Sequence, residues 1–187
     1  SVFYGLYIVW DRKIDFLKEV LAAPLNRSTV FLGKCLGGVT DSMIQVTIII
    51  VLGFFIFPDI EYTLQSIMLV YLYLFLLAVI MTSLGLIIGS RMDSPEGFSL
   101  ITSLVVFPMY FLSGALFLKK SLIDEAPMIY WLTVINPASY AVDAIRYTMI
   151  PEEIFLEFGL ARDLTVLIGF CVFLLALGTY CFKTMKL

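Results

Sequence analysis

The chain has 187 residues, 61% of them hydrophobic and 14% charged, with no histidine and a formal net charge of −3. Its mean hydropathy is +1.01 and its pI about 4.9. Soluble domains carry about 25% charged residues, so this composition excludes a water-soluble globule and predicts an all-α, polytopic integral membrane helical bundle. The lack of histidine removes zinc-hydrolase and Ser-His chemistry in their usual forms, and nothing in the charge pattern points to nucleic acid.

The opening residues, SVFYGLYIVW, are apolar but too few to cross a bilayer, and they show neither a basic leader nor a small-residue cleavage site. They read as the tail of a span that starts before the sequence does. Residues 11–34 then carry Arg12, Lys13, Lys18, Arg27 and Lys34, five of the twelve basic residues. At 100° per residue Ile14, Leu17, Val20 and Leu21 share one arc, opposite Arg12, Asp15, Lys18 and Glu19, which predicts an amphipathic helix ending before Pro24.

A bilayer core of roughly 30 Å takes about 20 apolar helical residues, and residues 35–57, 63–90, 98–118 and 164–182 qualify. In the first, Asp41 and Gln45 stand one turn apart and share a face. A carboxylate within a span is a functional candidate, although Asp41 is near enough to the end to reach water or pair with Lys34. Gly33, Gly37 and Gly38 permit close helix approach. The second span offers Tyr62, Tyr71 and Tyr73 as an interfacial aromatic belt and Gly85-Leu-Ile-Ile-Gly89 as a packing stripe. In the third, Pro108 and Ser113-Gly114 can kink the helix, as a gate or as a local packing device.

Residues 119–163 are too long for a turn and too apolar for a free loop. Asn136-Pro137 divides them into two pieces, each too short to span. They fit two short re-entrant helices or a surface-bound segment with aromatic anchors, and Asp143 and Arg146 are spaced to pair. Cys35, Cys171 and Cys181 read as buried free thiols rather than a disulfide. Alternating the sides of successive spans puts eight basic residues on one side and four on the other. The positive-inside rule therefore places residues 11–34 and the C-terminus in the cytoplasm.

The ordered set Pro24-Leu-Asn-Arg27, Gly33-Lys34, Gly85-Leu-Ile-Ile-Gly89-Ser90, Pro108-Met-Tyr-Phe-Leu-Ser-Gly114, Pro127 and Asn136-Pro137-Ala-Ser-Tyr140-Ala-Val-Asp143-Ala-Ile-Arg146 resembles the permease subunit of ABC type-2 exporters, above all daunorubicin-resistance and nodulation-type permeases. The resemblance runs from about residue 11 to the C-terminus. It implies a cell-membrane protein of about six spans, five or fewer represented here, working as a pair of permease copies with separate cytoplasmic ATPase subunits that hold ATP and Mg. It makes residues 11–23 the coupling helix, with Arg12, Ile14, Phe16, Leu17, Lys18, Glu19 and Leu21 against the ATPase. It assigns Asn136, Pro137, Tyr140, Asp143 and Arg146 to short outer helices near the exit. Lys119-Lys120 departs from the family, where Pro is frequent.

Asp41, Gln45, Phe107, Pro108, Phe111 and Ser113 are the expected pathway residues, for amphiphilic drugs, lipids or glycoconjugates. Two rivals remain at this stage. An ion-driven transporter would use Asp41 as its proton carrier. An intramembrane diaspartyl enzyme would need a second carboxylate at depth, and Asp41 is the one placed there.

Overall fold

The computed structural model describes residues 1–14, 26–58, 62–116, 127–150 and 158–185. A 3-10 turn, Val2–Gly5, leads into α1 (Leu6–Lys13), followed by α2 (Arg27–Ile56), α3 (Leu64–Arg91), α4 (Pro95–Phe111), α5 (Pro127–Ile135), α6 (Pro137–Met149) and α7 (Leu160–Lys183). No strand occurs among the described residues, in keeping with an apolar solvent that leaves backbone groups only intrahelical partners. This is an all-α membrane protein. Helices α2, α3 and α7 are long and apolar enough to cross a bilayer, their apolar windows having mean hydropathies of 2.0, 2.5 and 2.3.

The chain forms two compact units: Ser1–Ser42 with Ala78–Val105 and Cys171–Leu187, and Met43–Leu77 with Val106–Phe170. In the first, Ile8, Val9, Phe31, Ile80, Leu86, Phe98 and Phe182 are fully buried. Phe31 of α2 meets Phe182 of α7 with ring centroids 5.1 Å apart. The start of the chain crosses α3 at backbone distance, since a Cβ on Gly85 would overlap the Val2 carbonyl and one on Gly89 would overlap that of Gly5. The Gly85–Gly89 stripe is thus a close helix crossing of the kind small residues permit. Gly33, grouped with Gly37 and Gly38 by sequence, faces open space, whereas the other two meet the Tyr4 ring.

The second unit is built around Val70, Tyr73, Tyr140, Ala141, Ala144 and Leu167. Of the tyrosines expected as an interfacial belt, Tyr73 is packed inside the protein. Tyr73 is only 3% exposed, and its hydroxyl donates to the Leu160 carbonyl at 3.2 Å. Tyr62 donates to the Gly53 carbonyl and Tyr71 to the Thr47 hydroxyl. A buried phenol such as that of Tyr73 finds its partner within the protein.

Three expected boundaries move. Helix α2 begins at Arg27, eight residues before the apolar run, because nothing between Arg27 and Cys35 breaks a helix. Asp11, Arg12 and Lys13 are the last turn of α1, so the opening apolar residues and the first charges form one helix. The span expected over 98–118 is helical only to Phe111. Pro108 removes an N–H and crowds the preceding turn, and Gly114 at φ 79° supplies a left-handed stop. The 17 residues of α4 reach about 26 Å, short of the roughly 30 Å bilayer core. The three cysteines are buried and in no disulfide among the described residues.

Replacing Gly85 with Val should lower stability by about 1–3 kcal/mol or more, as overpacking does. Gly33→Ala, in open space, should leave it unchanged or slightly raised. Thermal unfolding of both variants in detergent checks the contrast.

Candidate functional site

Two groups of side chains stand out, one in each unit. At the end of α1, Arg12 spreads its guanidinium over the turn between α3 and α4. Nη2 donates to the Ser90 carbonyl at 2.8 Å, and Nη1 donates to the Met92 carbonyl at 3.0 Å and to Asp93 Oδ1 at 2.9 Å. A planar fork with several fixed donors suits three acceptors on one turn. Ser90 and Met92 lie at the C-terminal end of α3, where the helix dipole favours a cation. Its neighbour Asp11 pairs with Lys34 of α2. The alternative partner named for Lys34, Asp41, lies two turns further along α2, while α1 brings Asp11 alongside.

Arg27, in the first turn of α2, donates to the Met185 carbonyl at 2.7 Å and the Lys183 carbonyl at 3.4 Å. A basic residue is unfavourable at its own helix's N-terminus, and this one serves the C-terminal end of α7. Of the other expected coupling residues, Ile14 is 68% exposed just past α1. Phe16, Leu17, Lys18, Glu19 and Leu21 lie outside the described residues, as does Lys119-Lys120.

The expected pathway residues divide. Asp41, in the first unit, and Gln45, in the second, are exposed on α2. Phe107, Pro108 and Phe111 are exposed along the last turns of α4. Ser113 differs from them: it is buried, and its hydroxyl donates to the Tyr110 carbonyl and accepts from the Ala115 N–H. Its hydrogen-bonding capacity goes into the turn, so it is a helix-end residue rather than a lining one.

The second group closes the end of α4. Asn136 caps α6, accepting at Oδ1 from the Ala138 N–H at 3.0 Å, with Pro137 at the first helical position, where a missing N–H costs nothing. The same side chain donates through Nδ2 to the Met109 carbonyl at 2.7 Å. One turn on, the Ser139 hydroxyl donates to the Leu112 carbonyl at 3.0 Å. Arg146 Nη2 donates to the carbonyls of Gly114 at 2.7 Å and Ala115 at 3.3 Å. The carbonyls of 109, 112, 114 and 115 at and beyond the end of α4 are thereby satisfied by one face of α6 and its cap.

Asp143 and Arg146 were expected to pair; among the described residues no ion pair joins them. Arg146 is turned to the end of α4, and Asp143 Oδ2 accepts from the Phe158 N–H at 2.9 Å. Tyr140 stacks on Phe158 at 4.8 Å between ring centroids and donates to the Val134 carbonyl at 2.6 Å. Burial pushes its phenol above the ordinary range, so it remains a donor at neutral pH. Sequence reasoning quoted Ser139 without giving it a task and passed over Phe158. A hydroxyl in the first turn of a helix already capped by Asn136 was the available signal; for Phe158 there was none. No group of His, Cys, Asp or Glu able to hold a metal occurs among the described residues.

A family model described as ABC-2 type transporter matches residues 1–150. The putative transport permease ycf38 of Porphyra purpurea is 28% identical over 144 residues, covering 76% of this chain and 48% of that protein. The ycf38 permease of Cyanophora paradoxa is 27% identical over 147 residues, with the same shares. The inner membrane transport permease YadH of Escherichia coli K12 is 27% identical over 131 residues, 70% of this chain and 49% of that protein. The chain spans about half the length of these relatives.

Asn136→Ala should lower stability by about 1–2 kcal/mol through loss of cap and donor together. Asn136→Asp keeps the capping acceptor but not the donor to Met109 and should fall between alanine and the native residue. Thermal unfolding in detergent, read at pH 7, orders the three.

Proposed function

Because the chain belongs to the ABC-2 type transporter family, we propose that it is the membrane-embedded permease part of an exporter powered by separate cytoplasmic ATPase subunits. ATP and Mg are held by those subunits, and a second permease copy, identical or different, completes the pathway. Residues 11–34 and the C-terminus face the cytoplasm of a cell or inner membrane. Residues 11–23 take the push of the ATPase, with Ile14, Phe16, Leu17, Lys18, Glu19 and Leu21 as the contact stretch; Arg12, expected among them, is instead turned inward to the α3–α4 turn. The residues on either side of Pro137 form the outer gate.

The observation that carries this reading is the joint at the end of α1. The helix that leads into residues 15–25 is tied there to α2 by Asp11–Lys34 and to the α3–α4 turn by Arg12. A displacement delivered just past α1 therefore acts on three helices. No side chain has to do chemistry, and the permease works by position alone. Within the second unit, the carbonyls of Met109, Leu112 and Gly114 rest on Asn136, Ser139 and Arg146, so a shift of the last turn of α4 moves α6.

Cargo follows from the lining. Within the second unit, Phe107, Pro108 and Phe111 expose an apolar and aromatic surface along the last turns of α4. Such a surface suits amphiphiles: drugs, lipids or lipid-linked sugars.

The test uses inverted vesicles containing the permease and its ATPase, with uptake of a fluorescent amphiphile as readout. Leu17→Asp with Leu21→Asp should release the ATPase on purification and reduce ATP-driven uptake at least about tenfold, as loss of buried interface anchors does. Retention of ATPase and uptake together would remove the coupling role. Uptake that survives without ATPase and collapses with the proton gradient would assign the work to Asp41 instead.

A further inference from the structure

Resting on the coupling role just proposed, we infer that Arg12 is a positioning residue: its guanidinium locks the end of α1 to the α3–α4 turn so that the two move as one piece. Two observations combine. Close to its start the chain meets α3 backbone to backbone, where Gly5 and Gly85 leave no room for a side chain. With Gly89 against the Gly5 carbonyl this crossing covers one turn of α3, and a contact confined to one turn lets one helix rock on the other. Seven residues later, about 10 Å along a helix, Arg12 makes a second attachment, at the Ser90 carbonyl in the last turn of α3 and the Met92 carbonyl just past it. Two attachments remove the rocking.

The carbonyl contacts matter more than the ion pair. The Arg12 side chain is 19% exposed and that of Asp93 is 93% exposed, so water screens the charge pair. The carbonyls are half-buried, sit at the negative end of α3, and take charge-assisted bonds. Asp11 reaches Lys34 of α2 from the neighbouring position, so consecutive residues address two different helices. A lysine at position 12 would present one compact ammonium and could not bridge Ser90, Met92 and Asp93 together.

The test places spin labels at Lys13→Cys and Glu96→Cys, both exposed, in the full-length permease assembled with its ATPase in proteoliposomes. The distance between them is measured nucleotide-free and after trapping with ATP and vanadate. With Arg12 present one narrow distance should appear in both states. Arg12→Gln should keep the nucleotide-free distance and broaden or shift it on trapping, and Arg12→Lys should fall between. A purely structural role would disturb both states equally. The inference is overturned if the native distance itself changes on trapping, if Arg12→Gln matches the native protein, or if its two states are equally disturbed. Should Arg12→Gln fail to assemble, Arg12→Lys decides the matter, and native behaviour of that variant overturns the lock. The coupling role fails separately, on the unsubstituted chain, if no ATPase co-purifies with it, and the lock then falls with it.

Discussion

A carbonyl oxygen in the last turn of a helix has no partner on its own helix and must find one elsewhere. That requirement shapes the protein at three places. The end of α3 is met by Arg12, the end of α7 by Arg27, and the end of α4 by Asn136, Ser139 and Arg146. Each capping side chain comes from a distant part of the sequence. Capping therefore also joins elements, and satisfying the backbone and holding the helices together are one task.

The choice of arginine at these ends follows from the geometry. Its charge is always present, its donors are several and fixed, and it suits the negative end of a helix dipole. Where the broken end of α4 needs support over several residues, arginine alone cannot reach, and a helix supplies donors at successive turns. Pro108 and Gly114 create the break, and the stretch from Asn136 to Arg146 repairs it. An end held by side chains can be shifted without unwinding the helix itself.

Much of this was legible in the residues. Uninterrupted apolar runs gave the long helices, because helix is what an apolar solvent enforces. Asn136-Pro137 marked a break, because proline accepts the first helical position and asparagine caps it. What stayed hidden was tertiary. Arg12 lies on the polar arc of a periodic pattern and was assigned to a new helix, whereas the structure makes it the last turn of α1, facing α3. Asp143 and Arg146 have the spacing of a pair, but the carbonyls beyond Phe111 offer Arg146 acceptors that would otherwise be stranded. Tyr73 has the composition of an interfacial anchor and is buried instead. In each case the competing partner came from a distant part of the chain, which one-dimensional periodicity does not record.

Hydrogen exchange read by mass spectrometry on Arg12→Gln, Arg27→Gln and Arg146→Gln in a membrane mimetic is the most direct test of helix ends held by distant side chains. The account predicts that protection falls at one end per variant: around residues 88–94 for Arg12, 181–185 for Arg27 and 110–116 for Arg146, with helix interiors unchanged. Unaltered protection at those ends, or a uniform loss across all helices in each variant, would contradict it.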